Sequence, residues 1–357
     1  MGNQIKQNQF RLPAEWETQS GIMLIFPHKG TDWAPYLEEI TKTYLQLIEA
    51  ITRYEKLLIV AQDIEHVKCL VAENIAHGHE NIIYRQCENN DTWARDVAPI
   101  TVVANEEATN KTTKFHLLDF CFNGWGEKFA AEKDNAINCQ LYFSHTFNGS
   151  LENHKDFVLE GGSIESDGEA TLFTTTACLT APHRNQPLEK DDIEKRLFLL
   201  FPHLKRVVWI EHGELIGDDT DGHIDTILRC APNNTLLYIS TDDPTDPHFE
   251  DLQALDRQAR ALRTLNGQPY RCLKLPLPKA IYDGDERLPA TYANFLILNG
   301  AVIVPTYNQP ASDQLAIQII AEAFQGYDII PIDSSTIVRQ HGSIHCLTMQ
   351  FPKGVLI

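Results

Sequence analysis

Three tight-turn signals divide the chain at equal intervals. Asp167-Gly168 separates Ser163-Ile164-Glu165 from Ala170-Thr171-Leu172-Phe173, and Asn233-Asn234 separates Thr226-Ile227-Leu228 from Leu236-Leu237-Tyr238-Ile239. Asn299-Gly300 separates Phe295-Leu296-Ile297 from Val302-Ile303-Val304. Gly and Asn tolerate the positive φ angles that short loops require, so each reads as a β-hairpin. Asp167, Asn233 and Asn299 stand 66 residues apart. The stretch after each turn also repeats: a strand, a Pro-containing loop, a helix and a final strand. Apolar spacing predicts helices over 188–200, 248–265 and 312–324, each leading into a β-rich run at 206–210, 270–275 and 328–332. One period back, strands 100–104 and 115–120 flank a longer polar turn.

The chain ends complete the pattern. Strand 346–351 lacks a hairpin partner, while 21–26 reads as a strand followed by a helix over 33–54 and a strand over 57–60. The two ends fit as halves of one unit, which predicts an α/β ring of ββαβ modules closed by the N- and C-terminal strands, about five in all. Closure protects sheet edges and gathers equivalent strand ends at one central place. A general α/β pattern with coincident turns is the competing reading. Length alone would suggest two domains, but a closed repeat of 357 residues forms one, so the expectation is a single catalytic domain over 1–357.

Composition narrows the partners. The 49 acidic and 30 basic residues leave a net charge of −19, which argues against nucleic acid or an anionic membrane and suits a small cationic substrate. The opening Met1-Gly2-Asn3-Gln4-Ile5-Lys6 is polar, and no apolar run approaches the roughly 18 residues of a membrane span, so a cytoplasmic protein is expected. The eight cysteines form no CxxC pair, and Cys69, Cys178, Cys230 and Cys272 lie in apolar stretches as expected core residues. No helix face can be assigned to an interface; a homo-oligomer stays open.

Polar residues of interest fall where the first strand of each unit begins. Trp93-Ala94-Arg95-Asp96 precedes Ile100, Glu160-Gly161-Gly162 precedes Ser163, Gly222-His223-Ile224-Asp225 precedes Thr226, and Cys346 comes after Gly342-Ser343-Ile344-His345. A strand would put His223 and Asp225 on one face and turn His345 away from Cys346. Cys346 supplies a nucleophile that needs a cationic neighbour, and His223 can pass protons near neutrality. Asp96 and Asp225 suit a planar guanidinium, whose parallel N–H groups match two-oxygen acceptors. Glu160 could orient His223, Trp93 could stack on a cation, and Asp218, Asp219 and Asp221 add negative charge. Taken singly, each has a plain alternative: an Arg95–Asp96 ion pair, a turn cap at Glu160, a buried thiol at Cys346. The acidic run does not match a calcium-loop spacing and HExxH is absent, so no metal is expected.

Taken together, six ordered segments resemble the agmatine deiminase family, within the guanidine-modifying pentein superfamily that includes bacterial peptidylarginine deiminases. They are Pro13-Ala14-Glu15-Trp16-Glu17 with Phe26-Pro27-His28, Asp91 to Asp96, Phe122-Asn123-Gly124-Trp125-Gly126, Leu159 to Gly162, Asp218 to Asp225, and Ile344 to Thr348. The resemblance implies a five-bladed pseudo-symmetric α/β propeller and hydrolysis of agmatine to N-carbamoylputrescine and ammonia, a step toward putrescine and the polyamines. It implies attack by Cys346, proton transfer by His223, guanidinium binding by Asp96 and Asp225, support from Glu160, and no cofactor. An acidic pocket at Asp219 would favour agmatine's ammonium over the carboxylate of free arginine; peptidyl- or free arginine is the alternative substrate. Two other classes compete: a thiol hydrolase or acyltransferase acting on an amide, which would not need Asp96, and a polyamine-binding protein that never releases ammonia.

Overall fold

The computed structural model describes residues 10–105 and 114–357. The polar opening segment and the polar turn after strand Ile100–Ala104 lie outside them.

Five sheets carry the ββαβ pattern. In three of them the turns place two antiparallel strands side by side and the helix returns a parallel third. Ile164–Ser166 and Thr171–Thr175 are joined by Arg206–Ile210, Leu228–Ala231 and Thr235–Ser240 by Arg271–Pro276, and Leu296–Leu298 and Ala301–Thr306 by Asp328–Asp333. The turn chemistry is as required: Asn233 and Asn234 have φ of 61° and 53°, and Gly300 has φ of 84°. The returning helices are Lys190–Leu200, Phe249–Ala261 and Pro310–Ala323. Phe249–Ala261 buries Leu252, Leu255 and Ala259, one stripe of a 3.6-residue period.

The fourth sheet holds Ile100–Ala104 against Phe115–Cys121, which pairs in parallel with Ser150–Val158 after helix Asp134–Phe143; Phe10–Arg11 adds an outer strand. That helix and last strand carry weak periodicity and were not expected. The fifth sheet joins the chain ends: Thr348–Pro352 pairs antiparallel with Gln19–Ile25, which continues in parallel through Lys56–Ala61 to Ile82–Gln86. Helix Leu37–Thr52 covers it with Ile40, Tyr44, Leu47, Ile48 and Ile51. A separate hairpin, Ile281–Asp283 with Glu286–Leu288, lies outside the repeat. Each sheet is open, with free edge strands, rather than closed on itself. Among the described residues no helix is long and apolar enough to cross a membrane.

Two expectations about local structure fail. His223 and Asp225 do not share a strand; Ile224–Thr226 is a 3-10 turn, closed when Ile227 N donates to Ile224 O and Thr226 Oγ1 to His223 O. Cys346 likewise sits in a turn, ahead of strand Thr348–Pro352, with Thr348 N donating to His345 O. Of the four expected core cysteines, Cys178 and Cys230 are buried, Cys272 is half-buried and Cys69 is exposed. Cys69 lies on helix Ile64–Asn74, whose buried face is Ile64, Val67 and Val71; two residues along a helix is half a turn away.

Candidate active site

The apolar core divides into clusters, and the polar residues gather at a seam. Trp93, Trp125 and Cys346 belong to one cluster, Ile224 and Ile227 to another. Three short elements meet there: helix Ala94–Val97, the 3-10 turn Gly161–Ser163 and the 3-10 turn Ile224–Thr226. Arg95 N donates to Cys346 O at 3.2 Å, which ties the cysteine turn to the first of them.

Gly162 marks the centre. A Cβ there would stand 2.6 Å from His223 Nδ1, 2.9 Å from Asp96 Oδ1 and 3.1 Å from Asp225 Oδ2, so three residues distant in sequence surround one point. The Gly162 N–H itself donates to Asp96 Oδ1 at 3.0 Å, and Trp125 Nε1 donates to Asp96 Oδ2 at 3.0 Å. Asp225 Oδ2 accepts a hydrogen bond from His345 Nδ1 at 2.7 Å and lies 3.7 Å from Cys346 Sγ. The Cys346 amide donates to Asn294 Oδ1 at 3.2 Å. His223 Nδ1 is 3.8 Å from Asp96 Oδ1.

Glu160 does not hydrogen-bond to His223. Its Oε1 accepts from Arg184 Nε at 2.7 Å, and the same guanidinium reaches Asp221 Oδ2 and Thr220 O, both at 2.7 Å. Nor does Arg95 pair with Asp96. Neighbours on a helix point about 100° apart, and Arg95 turns inward to Glu15 Oε1 at 2.9 Å. Around Gly162, four buried side-chain atoms have no hydrogen-bond partner: Glu160 Oε2, Asp225 Oδ1 and both ring nitrogens of His223. Buried polar groups are seldom left so, and here they converge.

The electrostatics are uneven. Burial pushes the Cys346 thiol well above its ordinary range, and Asp225 and Asp96 push it further, so at neutral pH the sulfur keeps its proton. Burial also raises the Asp96 carboxyl, against the pull of His223. Burial would lower His223, but Asp96, Cys178 and Glu160 outweigh it and hold the imidazole charged. Asp225 is held below the usual carboxylate range, burial being overcome by His345 and then His223 and Arg229.

A narrow cleft opens onto the sulfur, lined by Trp93, Asp96, Trp125, Asp219, Thr220, Gln340, His341, Gly342 and Cys346. Three larger cavities elsewhere contain no cysteine. Trp93 is pressed against Gly342, where a Cβ would come within 2.2 Å of the indole. Of the acidic run, only Asp219 lines the cleft; burial raises its carboxyl to about 6, with His341 and Lys128 opposing and Asp218 adding. Asp218 is used up on Thr220 and Gly222, and Asp221 on Arg184 and Lys128.

All seven sequence-derived residues therefore surround one place: Trp93, Asp96, Asp219 and Cys346 line the cleft, with His223, Asp225 and Glu160 buried behind them. Sequence reasoning missed Arg184, Asn294 and Cys178, none of which stands in a recognisable local pattern. Glu160, Cys178 and His223 offer ligand atoms within 4.8 Å of one another, the one such group among the described residues. A soft divalent ion would fit these donor types, but it would occupy a ring nitrogen of His223, the residue that can pass protons beside Cys346.

Relatives share this architecture. A crystal structure from Porphyromonas gingivalis, provisionally described as an arginine deiminase, superposes with a TM-score of 0.91 at 42% identity, covering 98% of this chain and 100% of that one. A cysteine-to-serine variant of C. jejuni agmatine deiminase with substrate bound superposes with a TM-score of 0.86 at 35% identity over 97% of each chain. An agmatine deiminase from Medicago truncatula is 29% identical over 376 residues, 96% of each chain. Residues 11–352 match the Porphyromonas-type peptidyl-arginine deiminase family, and the protein belongs to it.

Proposed function

We propose that the protein hydrolyses the terminal guanidinium of agmatine to N-carbamoylputrescine and ammonia through a covalent amidino-cysteine. The observation that carries this reading is the set of unpartnered buried acceptors, Asp225 Oδ1 and Glu160 Oε2, beside Asp96 and the Cys346 sulfur. Carboxylate oxygens buried without donors suit a ligand that brings its own N–H groups and its own positive charge. A neutral amide would leave those anions uncompensated, which disfavours the thiol hydrolase reading.

Atoms and charges balance at each step. A guanidinium between Asp96 and Asp225 offsets the carboxylates that hold Cys346 protonated, and the thiol proton passes to solvent as the thiolate forms. The thiolate adds to the guanidinium carbon to form a neutral tetrahedral adduct. His223 gives a proton to one NH2 group, the C–N bond breaks, and ammonia departs from a cationic amidino-cysteine. Neutral His223 then takes a proton from water as its oxygen adds to the same carbon. The C–S bond breaks, the hydroxyl proton passes to the departing sulfur, and the ureido product leaves Cys346 as the thiol it began as. Proton transfer by a positioned histidine contributes roughly 10² to 10⁴ in rate.

The five open sheets are, in this reading, blades of a five-bladed α/β propeller of the pentein type, forming one catalytic domain. Free cysteines throughout suit a reducing cytoplasm. Asp219 at the cleft favours an ammonium tail over a carboxylate. The family's name and the Porphyromonas relative favour a second reading, deimination of peptidyl- or free arginine.

The test is ammonia release and mass spectrometry of product with agmatine, arginine and a peptidylarginine, side by side. Agmatine should give the ureido product fastest, and Cys346→Ser should abolish turnover. Wild-type turnover by Cys346→Ser sinks the covalent mechanism; faster turnover of an arginine substrate moves the assignment to the second reading.

A further inference from the structure

We propose that His345, propped by Glu15 from the N-terminal segment, is a positioning residue that keeps Asp225 ionised with one oxygen free for substrate. The imidazole is buried, with its Nδ1 at 2.7 Å from Asp225 Oδ2 and its Nε2 at 2.9 and 3.1 Å from the two Glu15 oxygens. Ionised carboxylates only accept hydrogen bonds, and a neutral imidazole has a single N–H. Two such bonds require both ring protons, so the ring acts as a fixed cation between two anions.

Glu15 cannot swing away to release it. Arg95 holds Glu15 Oε1 at 2.9 Å, Arg229 holds Oε2 at 2.6 Å, and Glu165 holds the other side of Arg229 at 2.5 Å. The groups facing Asp225 are His345, His223, Arg229, the Asp96 carboxyl and the Cys346 thiol. Those facing His345 are Glu15, Asp225 and Arg95, whose Nε reaches the His345 carbonyl at 3.4 Å, with Glu165 across Arg229. Beneath the site, three anions, Glu15, Glu165 and Asp225, meet three cations, His345, Arg95 and Arg229. Deleting the imidazolium leaves this buried set one charge negative, and Asp225 is the member next to the cleft.

The consequence is directional. With Oδ2 occupied by His345, Asp225 Oδ1 is left without a partner and available to an N–H donor from the cleft. A protonated Asp225 would offer a donor where a guanidinium needs an acceptor.

The experiment has two arms, and only the kinetic one rests on the deimination reading. In wild-type protein, ¹⁵N-histidine NMR should find one buried ring with both nitrogens protonated at neutral pH. The signal is assigned by its loss in His345→Gln or, should that variant not fold, by its shift in Glu15→Gln, which keeps the ring. A neutral tautomer at that ring overturns the proposal whatever the enzyme's substrate. In the kinetic arm, His345→Gln should lower kcat/KM for agmatine roughly 10- to 100-fold, the range for losing a hydrogen bond to a charged group. Its acid limb should move to higher pH, and no further loss should appear in an Asp225→Asn background. A folded His345→Gln with the wild-type pH profile, or an equal loss in the Asp225→Asn background, overturns it. Absence of ammonia release from every guanidine fails the function while leaving the NMR arm decisive.

Discussion

Gly162→Ala adds one methyl group at the point where the proposed catalytic groups meet. Gly162 is absent from the left-handed region of backbone space, so the substitution strains nothing in the main chain. The new Cβ would lie 2.6 Å from His223 Nδ1 and 2.9 Å from Asp96 Oδ1, well inside ordinary contact. Something must move by more than half an ångström, on the order set by a van der Waals approach near 3.5 Å. Asp96 is held by Trp125 and by Gly162 itself, and Asp225 by His345, so His223, with no hydrogen bond to its ring, moves first. Overpacking of this kind costs about 1–3 kcal/mol of stability. Displacing the proton donor by about 1 Å costs on the order of 100-fold in kcat. Gly300→Ala is the control: its φ of 84° costs about 1–2 kcal/mol for an alanine, and nothing lies within 4 Å of the added methyl. Ammonia release and thermal melts on both variants separate the effects. A Gly162→Ala enzyme with kcat within about twofold of wild type would refute the convergence of these groups on Gly162.

Arg184→Met leaves Glu160 buried without its guanidinium partner, and chemical denaturation should register a loss of about 3–5 kcal/mol; a loss below about 1 kcal/mol would show Glu160 to be protonated or resolvated. Arg184→Lys should not rescue it, because an ammonium cannot reach Glu160, Asp221 and Thr220 together. Burial raises the Glu55 carboxyl to about 8, partly offset by Asn299. The folded state then keeps a proton that the unfolded chain releases above about 4.3, so stability falls as pH rises from there to about 8. Glu55→Gln should flatten that slope, gaining most in melting temperature near pH 8; parallel melting curves for the two proteins across this range would contradict it.

The repeat was legible because its signals are local. A two-residue loop with positive φ admits few residue types, and a helix that packs on one side shows its period wherever it occurs. Strand Arg206–Ile210 falls where the sequence pattern placed it, and the helices differ from expectation only at their ends. Helix Asp134–Phe143 and the Ile281–Leu288 hairpin were not legible, since weak patterning leaves their type to their packing. At the site, residue identities were readable from motif chemistry, but directions were not. A period-two argument assigned His223 and Asp225 to a strand and turned His345 away. In the folded chain, 3-10 turns and a turn at Cys346 present all of them inward.

Residue types, turn positions and hydrophobic periods were settled by the chain alone, because they depend on the conformational limits of single residues and their near neighbours. Which carboxylate pairs with which cation was settled only by the tertiary fold: Arg95 with Glu15 rather than Asp96, Arg184 with Glu160, His345 between Asp225 and Glu15. Such pairings span up to 330 residues, and their strength comes from shared burial, a property no stretch of sequence possesses before the sheets assemble around it.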